Sequence, residues 1–420
     1  MIKFEEKYVY NVLSKTEIDN CIDENRKKLL ACVNGQTGMK NFLGWFDVKT
    51  NATDEILAKN IEIAEEIKAN ADAFVVIGVG GSNRSALTLI EGLNKNDTGV
   101  KIFYGGNNLS GGYLLELLES LKDKNVYIDV IAKDFNTLEP GIAFRMFRKF
   151  LREKYGAKYN NRVILTGSFG QGQLFELSQK EDMRFLEFPK EVGGRFTAFT
   201  AVTFLPSLVA NVDVNAFVDG GMQAEKLCKS TDLKNNLAVR YAIIRYLLSK
   251  KGFSVENLAH FEPRMENFCR WALQLHGESE GKNENSILPM ITNFSEDLHA
   301  IGQYIQQGKK FIFETFLDVR TKNDLKIQND DVFDGFDYLN NVDYDKMNDA
   351  VLEGSRKAHF EDGVPVMSFI GDKISEKTFG ELMYVFMIST YMSAVLIDVE
   401  PFNQEGVENY KKNMYVLLGK

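Results

Sequence analysis

The sequence predicts an α/β protein in which a parallel, doubly wound sheet lies between layers of helices. Short apolar runs typical of buried strands alternate with helical patterns from about residue 73 to residue 167, as in consecutive strand–helix–strand units. A similar alternation returns after residue 309, which indicates a second α/β unit. The length of 420 residues also exceeds what one ordinary core supports, so two domains or sub-domains are expected.

The first unit follows a helical start. CIDENRKKLLACVNG has apolar residues at helical spacing with Gly35 as its stop, and ILAKNIEIAEEIKAN predicts another helix. The strand runs that follow are AFVVIGV, KIFYGG, NVYIDVIA and RVILTG. The helical segments between them are SALTLIEGL, GGYLLELLESLK and IAFRMFRKFLREKYG.

The second half begins with a helix-rich stretch at roughly 200–275. Strand patterns then return in KKFIFETFLDV and PVMSFIGD, and helical patterns in DKMNDAVLEGSRKAHF and FGELMYVFMISTYMSAVLI. The acid-rich segment 321–347 fails the spacing of a calcium loop, so we expect it to be a solvated connection.

Composition excludes several classes of protein. The net charge of −9 and the pI of about 5.3 do not favour binding to nucleic acid or to an anionic membrane. No signal peptide and no apolar stretch of about 18 residues is evident, so we expect no membrane span. The four cysteines form no CxxC pair and the histidines lack metal-ligand spacing. These features predict reduced thiols, a cytoplasmic protein and no structural metal.

The loop VVIGVGGSNRSA (75–86) lies between a predicted strand and a predicted helix. It fits the dinucleotide-binding pattern poorly, since a glycine is missing near Arg84 and no ribose-binding acid follows the second strand. Gly80 and Gly81 would let the backbone approach a ligand closely, and Ser82 would open the helix with a hydroxyl, as in a cradle for a single anion. A tight turn with Ser82 as N-cap is the alternative.

Two further segments place candidate side chains beside glycines. In EVGGRFTAFTAV, Arg195 follows Gly194 and would stabilise a developing oxyanion, unless it is a surface arginine after a turn. FCRWALQLHGESEGK predicts a helix ending near Gly277, with Gln274 and Glu278 on one face because they are four residues apart. Glu278 would then be a general base or, alternatively, an exposed acid.

Two more segments offer acid–base groups. His299 in NFSEDLHAIGQYIQQG is either an acid–base group or a packed core residue. Gln404 and Lys411 in EPFNQEGVENYKK are seven residues apart, so both would face one cleft if a single helix carried them. An amphipathic helix with a solvated lysine is the alternative.

Together and in this order, these segments resemble the glucose-6-phosphate isomerase (phosphoglucose isomerase) family. VGGRFTAFTAVTFLP and EPFNQEGVENYK are similar to the family's two diagnostic stretches, and the second follows the pattern F-x-Q-x-G-V-E-x-x-K. GESEGK and DLHAIGQYIQQG are similar to the segments that hold the family's base and its ring-opening histidine. The resemblance extends from about residue 70 to the C-terminus.

The resemblance implies two sugar-isomerase (SIS) sub-domains, each a flavodoxin-like parallel sheet flanked by helices. We expect the sub-domains at 50–205 and 206–420, the second packed with a helical arm at 1–49. It also implies a homodimer with shared active sites.

The implied reaction interconverts glucose 6-phosphate and fructose 6-phosphate through a cis-enediol, without cofactor or metal. By resemblance, Glu278 moves a proton between C2 and C1, and Arg195 holds the enediolate charge. His299 of the partner subunit would open the sugar ring, with Lys411 assisting at the ring oxygen. The residues expected to bind the substrate are Gly80, Gly81, Ser82, Lys133, Thr137, Gly194, Gln274 and Gln404.

The loop IAKDFNTLEP (131–140) departs from the family pattern SKSGTTTEP. Lys133 and Thr137 match, but several hydroxyls are replaced and Asp134 adds an acid. A carboxylate about 5 Å from a phosphate charge costs roughly 3 kcal/mol at a dielectric of about 20, unless Lys133 or Arg84 neutralises it.

Three interpretations of this loop stay open. In the first, the substrate is a different sugar or a sugar without a phosphate. In the second, the chain is a weakly active paralogue that senses sugar phosphates or acts through protein contacts. In the third interpretation, Asp134 turns to solvent as a helix cap.

Overall fold

The computed structural model describes residues 1–95, 97–133, 135, 137–329 and 334–419. Within them the chain forms two five-stranded sheets surrounded by helices, so the predicted α/β class is confirmed. The strands are β1 (Lys3–Glu5), β2 (Ala73–Ile77), β3 (Lys101–Gly105), β4 (Val126–Ile131), β5 (Val163–Gly167), β6 (Arg184–Glu187), β7 (Val255–His260), β8 (Leu288–Asn293), β9 (Ile312–Val319) and β10 (Val366–Gly371).

The helices account for most of the remaining described chain. They are α1 (Lys15–Glu24), α2 (Arg26–Val33), α3 (Asp54–Asn70), α4 (Arg84–Leu93), α5 (Gly111–Ser120), α6 (Leu138–Tyr155), α7 (Gly172–Glu181), α8 (Ala201–Val209), α9 (Val214–Cys228), α10 (Leu237–Lys250), α11 (Glu266–Glu280), α12 (Gly302–Gln307), α13 (Tyr344–Glu361), α14 (Glu376–Leu396) and α15 (Glu408–Leu417).

The first sheet is parallel throughout and has the strand order β3-β2-β4-β5-β6. Counted along the chain within this sheet, the order is 2-1-3-4-5, which is the flavodoxin-like arrangement. Val76 in β2 pairs with Tyr104 on one side and with Asp129 on the other. The strands β2, β4 and β5 are buried along their whole length, since helices cover both faces of the sheet.

The second sheet has the order β1-β10-β9-β7-β8. Its strands β7 to β10 are parallel and repeat the 2-1-3-4 order, whereas β1 is antiparallel to β10, with Phe4 opposite Phe369. The sequence patterns missed β1, β6, β7 and β8. The strand β7 was missed because its residues VENLAH include three polar side chains, although the whole strand is buried.

The N-terminal region holds two helices where one was expected. Ser14 caps α1 and forms a capping box with Glu17. The helical path breaks at Asn25 and resumes in α2, which ends two residues before Gly35. Gly35 has a φ of +63°, the left-handed conformation that glycine adopts readily, so the predicted stop is in place.

The apolar helix α14 is the central core helix. It crosses α9 at close range: a Cβ on Gly380 would lie 2.0 Å from the carbonyl oxygen of Phe217, and one on Gly220 would lie 2.1 Å from that of Lys377. The helix is long and apolar enough to cross a membrane by length and composition. However, 94% of its most apolar window is buried inside the protein, which is typical of a core helix.

The sub-domain boundaries remain our proposal. We propose that 50–205 and 206–420 are separate sub-domains and that 1–49 packs with the second. The pairing of β1 with β10 supports the placement of the N-terminal arm, because it adds an N-terminal strand to the second sheet.

Candidate active site

The candidate site lies at the carboxyl end of the first sheet. The loops after β2 and β4 flank the point where the strand order reverses, because β2 lies between β3 and β4. In open α/β sheets, ligands bind in the crevice at this point. The loop after β2 contains Gly80 and Gly81, and the loop after β4 contains Lys133 and Thr137.

Two glycine-containing loops meet here backbone to backbone. A Cβ on Gly81 would lie 1.9 Å from the carbonyl oxygen of Gly194, so only glycine fits at position 81. The hydroxyl of Thr197 lies 2.9 Å from the carbonyl oxygens of both Gly81 and Gly194 and links the two loops. Gly80 has a φ of +58°, and a Cβ there would meet the amide nitrogen of Gln274 at 2.7 Å. These two glycines therefore allow the chain to pack closely against itself, and their approach to a ligand stays a prediction.

Ser82 is not the N-cap of α4, so this part of the alternative was wrong, whereas the tight turn itself is present as the 3-10 turn Gly80–Ser82. The helix begins at Arg84 with Asn83 in the cap position, and no side chain caps it. The Asn83 amide instead donates to the carbonyl oxygen of Gly78 at 3.0 Å and braces the loop. Ser82 is partly buried at the end of the short 3-10 turn Gly80–Ser82.

Arg195 is buried, with only 2% of its side chain exposed, so the surface-arginine alternative was wrong. Its Nε donates to Ser279 Oγ at 2.8 Å, and its Nη1 donates to Glu278 Oε2 at 3.2 Å. Its Nη2 donates to the carbonyl oxygens of Pro401 and Asn403. Burial lowers the pKa of Arg195, and the neighbouring carboxylate of Glu278 partly offsets this effect.

These contacts determine which donor of Arg195 is left for a ligand. A guanidinium has five N–H groups, and the four contacts above occupy four of them within the described part of the chain. The remaining N–H is on Nη1, the nitrogen that also contacts Glu278. The donor that could hold an oxyanion therefore lies next to the carboxylate.

Glu278 lies in the last turn of α11, with its side chain 32% exposed. Its Oε1 accepts a hydrogen bond from Gln274 Nε2 at 3.0 Å, so the predicted shared face is confirmed. Its Oε2 accepts from Gln404 Nε2 and from Arg195. The helix ends at Glu280, three residues beyond the predicted Gly277. Both carboxylate oxygens are thus oriented by hydrogen-bond donors, and two of these donors come from distant parts of the chain.

Gln404 approaches Glu278 from a segment of irregular backbone. We call residues 400–404 the closing segment. A 3-10 turn, Glu405–Val407, separates Gln404 from the start of α15. A single helix therefore does not carry both Gln404 and Lys411, and the condition for both to face one cleft on that helix is not met. The amide of Gln404 reaches the site because Arg195 holds two carbonyl groups that precede it in the segment.

Lys411 does not contact Arg195 or Glu278 in the described part of the chain. Its ammonium lies 2.7 Å from Glu408 Oε1, and this hydrogen bond raises the pKa of Lys411. The helix α15 lies across the start of α6, where Tyr415 and Thr137 line one cavity. Lys411 is four residues before Tyr415, so the two residues lie on the same side of α15.

His299 lies apart from the other candidates. It ends the short 3-10 turn Glu296–His299, its side chain is exposed, and it has no hydrogen bond to another described residue. The packed-core alternative was therefore wrong. Within one chain, His299 does not join the group formed by Arg195, Gln274, Glu278 and Gln404.

The loop after β4 is described only in part, because Asp134 and Asn136 lie outside the described residues. The ammonium of Lys133 donates to the carbonyl oxygens of Lys190 at 2.7 Å and Val192 at 3.1 Å. These contacts join the loop to the chain just before Gly193. Thr137 is exposed and precedes the first residue of α6, and its side chain makes no capping hydrogen bond.

A buried ionic network holds α11 from the side opposite Glu278. Arg245 makes a two-point contact with Glu280, at 2.7 and 2.8 Å, and its Nε donates to Glu256 Oε2 at 2.8 Å. Glu256 also accepts from Tyr241 at 2.7 Å. These side chains are at most 1% exposed. Because a buried ion pair needs close geometry, the network restrains the helix that carries Glu278.

Several residues of the site were not identified from the sequence. Ser279 could have been identified from the sequence, because it lies beside Glu278 in GESEGK. The carbonyl groups of Pro401 and Asn403 could not, because any residue type can offer a backbone carbonyl. Among the described residues, no group of three or more His, Cys, Asp or Glu side chains could hold a metal ion.

Comparisons with known proteins show the family of the chain. The family model described as phosphoglucose isomerase matches residues 25–417. A glucose-6-phosphate isomerase of Staphylococcus epidermidis is 40% identical over 392 residues, which is 91% of this chain and 88% of that protein. A glucose-6-phosphate isomerase of Staphylococcus saprophyticus is 39% identical over 387 residues, covering 90% of this chain and 87% of that protein.

Two solved structures share the fold. A hypothetical protein from Thermus thermophilus superposes with a TM-score of 0.90 at 24% identity, over the whole of both chains. A glucose-6-phosphate isomerase from Chlamydia trachomatis gives a TM-score of 0.84 at 15% identity, over 100% of this chain and 88% of that one. Because the family model and the Staphylococcus proteins cover most of the sequence, this chain belongs to the phosphoglucose isomerase family.

Proposed function

We propose that this protein catalyses the reversible isomerisation of glucose 6-phosphate and fructose 6-phosphate through a cis-enediol. The observation that carries the proposal is the single cluster in which Gln274, Gln404 and Arg195 all donate to the carboxylate of Glu278. Membership of the phosphoglucose isomerase family supports the substrate. The activity named for the Staphylococcus relatives favours a phosphorylated hexose over a free sugar or a purely sensory role.

Glu278 is the base in this proposal. Removing a proton from a carbon beside a carbonyl requires a base held in a fixed orientation. Gln274 and Gln404 fix the orientation of both carboxylate oxygens of Glu278, and the partial exposure of the side chain leaves it accessible to a sugar. The same carboxyl group then returns the proton to the neighbouring carbon. In the direction from aldose to ketose, the C2 hydroxyl also loses its proton and the C1 oxygen gains one, so the carbonyl group moves from C1 to C2 with no net change in protons.

Arg195 stabilises the charge that develops during this shift. As the proton leaves carbon, negative charge accumulates on the sugar's carbonyl oxygen. The uncommitted N–H of Arg195 lies on Nη1, whose other N–H contacts Glu278. Since the guanidinium is held at four positions, it need not reorganise when the charge appears.

The sugar and its phosphate occupy the crevice between the loops after β2 and β4. A Cβ on Gly194 would meet nothing within 4 Å, so there is open space for a ligand at this point of the site. The Oε1 atom of Gln274 is buried and has no partner in the described part of the chain, so it can accept from a sugar hydroxyl. We assign the phosphate to Ser82 and Thr137, with Lys133 fixing the loop that holds Thr137.

His299 and Lys411 complete the proposal. We propose a cytoplasmic homodimer in which His299 of the partner subunit opens the sugar ring, assisted by Lys411. The exposure of His299 supports this arrangement, because a histidine serving another chain's site must lie on the surface. The four buried, unpaired cysteines are consistent with a reducing compartment.

A coupled assay with fructose 6-phosphate tests the proposed reaction. We expect turnover by the unaltered protein and its loss in Glu278→Gln, which keeps the shape of the side chain but removes the base. Glu284→Gln is the matched control, because it removes an exposed acid six residues away and should leave kcat unchanged. Turnover of free sugars but not of hexose 6-phosphates would contradict the substrate, and no turnover of either would contradict the enzyme.

Complementation tests the shared sites. Chains carrying Glu278→Gln are mixed with chains carrying His299→Asn under conditions that exchange subunits. In a mixed dimer, the site with an intact Glu278 receives its histidine from the other chain, so the mixture should show activity that neither variant has. If verified mixed dimers stay inactive, His299 does not act across the interface.

A further inference from the structure

Lys282 lies beside the site, and the proposed reaction leaves it without a role. The helix α11 ends at Glu280, and the chain turns at Gly281, where a Cβ would lie 2.5 Å from the carbonyl oxygen of Gly277. This tight turn directs the partly buried side chain of Lys282 across to the closing segment. There its ammonium donates to the backbone carbonyl of Glu400.

The closing segment is held at both ends. At its start, Lys282 holds the carbonyl of Glu400, whose own carboxylate accepts from the backbone N–H of Phe402 at 2.9 Å and of Asn403 at 2.6 Å. At its end, the amide of Gln404 donates to Glu278. Lys282 and Glu278 are only four residues apart in the sequence, so both ends of the closing segment are held by the same short stretch of chain.

The charges around Lys282 make its hydrogen bond sensitive to pH. Partial burial lowers the pKa of Lys282 to about 8, and the positive charge of Arg195 contributes to this lowering, whereas Glu400, Glu278 and Glu405 oppose it. Near neutral pH the side chain is therefore mostly an ammonium, and it loses this charge in the mildly alkaline range. A charged donor makes a hydrogen bond roughly twice as strong as a neutral one.

We propose that Lys282 is a positioning residue for the base: its tie to Glu400 holds the closing segment against α11 and thereby keeps the Gln404 amide on the Glu278 carboxylate. This inference rests on the proposed role of Glu278. It assigns Lys282 an effect on the proton-transfer step and not on the binding of the sugar phosphate.

The test measures kcat and KM for fructose 6-phosphate as a function of pH in Lys282→Met and Lys282→Arg. Lys282→Met keeps the aliphatic stem but removes the donor, so we expect kcat to fall about 10- to 100-fold with KM changed less than about threefold. The unaltered protein should lose kcat near pH 8, and this alkaline limb should be absent in Lys282→Met. In Lys282→Arg the limb should move to higher pH, because arginine stays charged.

Lys28→Met is the matched control. Lys28 donates to the carbonyl oxygen of Val395 at 3.4 Å and to Asp398 at 2.6 Å. It therefore binds the chain just before the closing segment, but none of residues 400–404. We expect its kinetic constants and its pH profile to equal those of the unaltered protein. Thermal unfolding of each variant shows whether a loss of activity reflects a loss of folded protein.

Three results would overturn the proposal. These are an unchanged kcat in Lys282→Met, a rise in KM without a fall in kcat, or a fall in kcat that leaves the alkaline limb in place. If Lys282→Met does not fold, Lys282→Arg decides alone, and an unmoved limb overturns the proposal. Failure of the proposed function itself would be recognised separately, because the unaltered protein would then lack turnover of fructose 6-phosphate.

Discussion

The amide of Gln404 donates a hydrogen bond to the carboxylate of Glu278, although 126 residues of sequence separate them. Gln274, one turn before Glu278 on the same helix, donates to the other carboxylate oxygen at 3.0 Å. The base is therefore oriented by one local donor and one distant donor. The distant donor depends on the closing segment, which Arg195 and Lys282 hold in place.

Replacing the distant donor should slow the reaction. Gln404→Met keeps the length of the side chain but removes its amide, and we expect kcat to fall about 10- to 100-fold because Glu278 loses one of its orienting contacts. Steady-state kinetics with fructose 6-phosphate measure this effect. Gln179→Met is the control, since that amide lies 3.3 Å from the hydroxyl of Ser178 on α7 and does not contact Glu278 in the described part of the chain. It should leave kcat unchanged. An unaltered kcat in Gln404→Met would show that the base is oriented without this contact.

The close approach of the two glycine loops predicts a large effect of one methyl group. In Gly81→Ala the new Cβ would overlap the carbonyl oxygen of Gly194, so the loops must separate. We expect a loss of about 1 to 3 kcal/mol in the free energy of unfolding and a fall in kcat of about 100-fold, because Arg195 follows Gly194. Chemical denaturation and steady-state kinetics measure the two effects.

Gly112→Ala is the control for this substitution. Gly112 lies in α5, and a Cβ there would meet nothing within 4 Å. Alanine should raise the free energy of unfolding by up to about 1 kcal/mol, since it favours a helix more than glycine does. If both variants behave alike, the two loops do not pack as closely as the structure shows.

The buried carboxyl group of Asp129 predicts how stability depends on pH. Burial raises the pKa of Asp129 from 3.8 to about 7, and a hydrogen bond from Thr166 at 2.9 Å offsets part of this rise. A folded-state pKa above the unfolded value means that the native protein holds the proton more tightly. The contribution of Asp129 to stability is therefore complete below about pH 4 and is lost as the pH rises through about 7.

Asp129→Asn removes this dependence while keeping the shape of the side chain. The free energy of unfolding of the variant, relative to the unaltered protein, should increase between about pH 4 and about pH 7, by at most about 4 kcal/mol. Denaturant titrations at several pH values measure the difference. A difference that stays constant across this range would show that Asp129 titrates alike in the folded and unfolded chain.

The sequence predicted the features that depend on local periodicity. The α/β alternation is one example, and the pairing of Gln274 with Glu278 is another, because residues four apart on a helix are neighbours. The strand β7 could not be recognised, since Glu256, Asn257 and His260 give it a polar composition. Their burial becomes favourable only through distant partners, such as Arg245 for Glu256 at 2.8 Å.

Long-range contacts also explain what was misjudged at the site. The segment around Arg195 gives no sign of burial, because Ser279, Pro401 and Asn403 close over the guanidinium from other parts of the chain. The helix α11 continues past Gly277, where a Cβ would approach only Pro289, at 3.9 Å, so this glycine has no need to end it. The proposed role of His299 depends on a second chain, which neither the sequence pattern nor one folded chain contains.

The measurement that tests the central claim most directly follows the transferred proton. When fructose 6-phosphate is incubated with the protein in D₂O, NMR spectroscopy should show deuterium entering the sugar at C1 of the ketose and at C2 of the aldose. This result is expected because the base exchanges its proton with solvent while the enediol is bound and then returns a deuteron to carbon. In Glu278→Gln the incorporation should disappear, and in Glu284→Gln it should persist. Incorporation at the unaltered rate in Glu278→Gln would contradict the assignment of the base, because the proton would then be moved by another group.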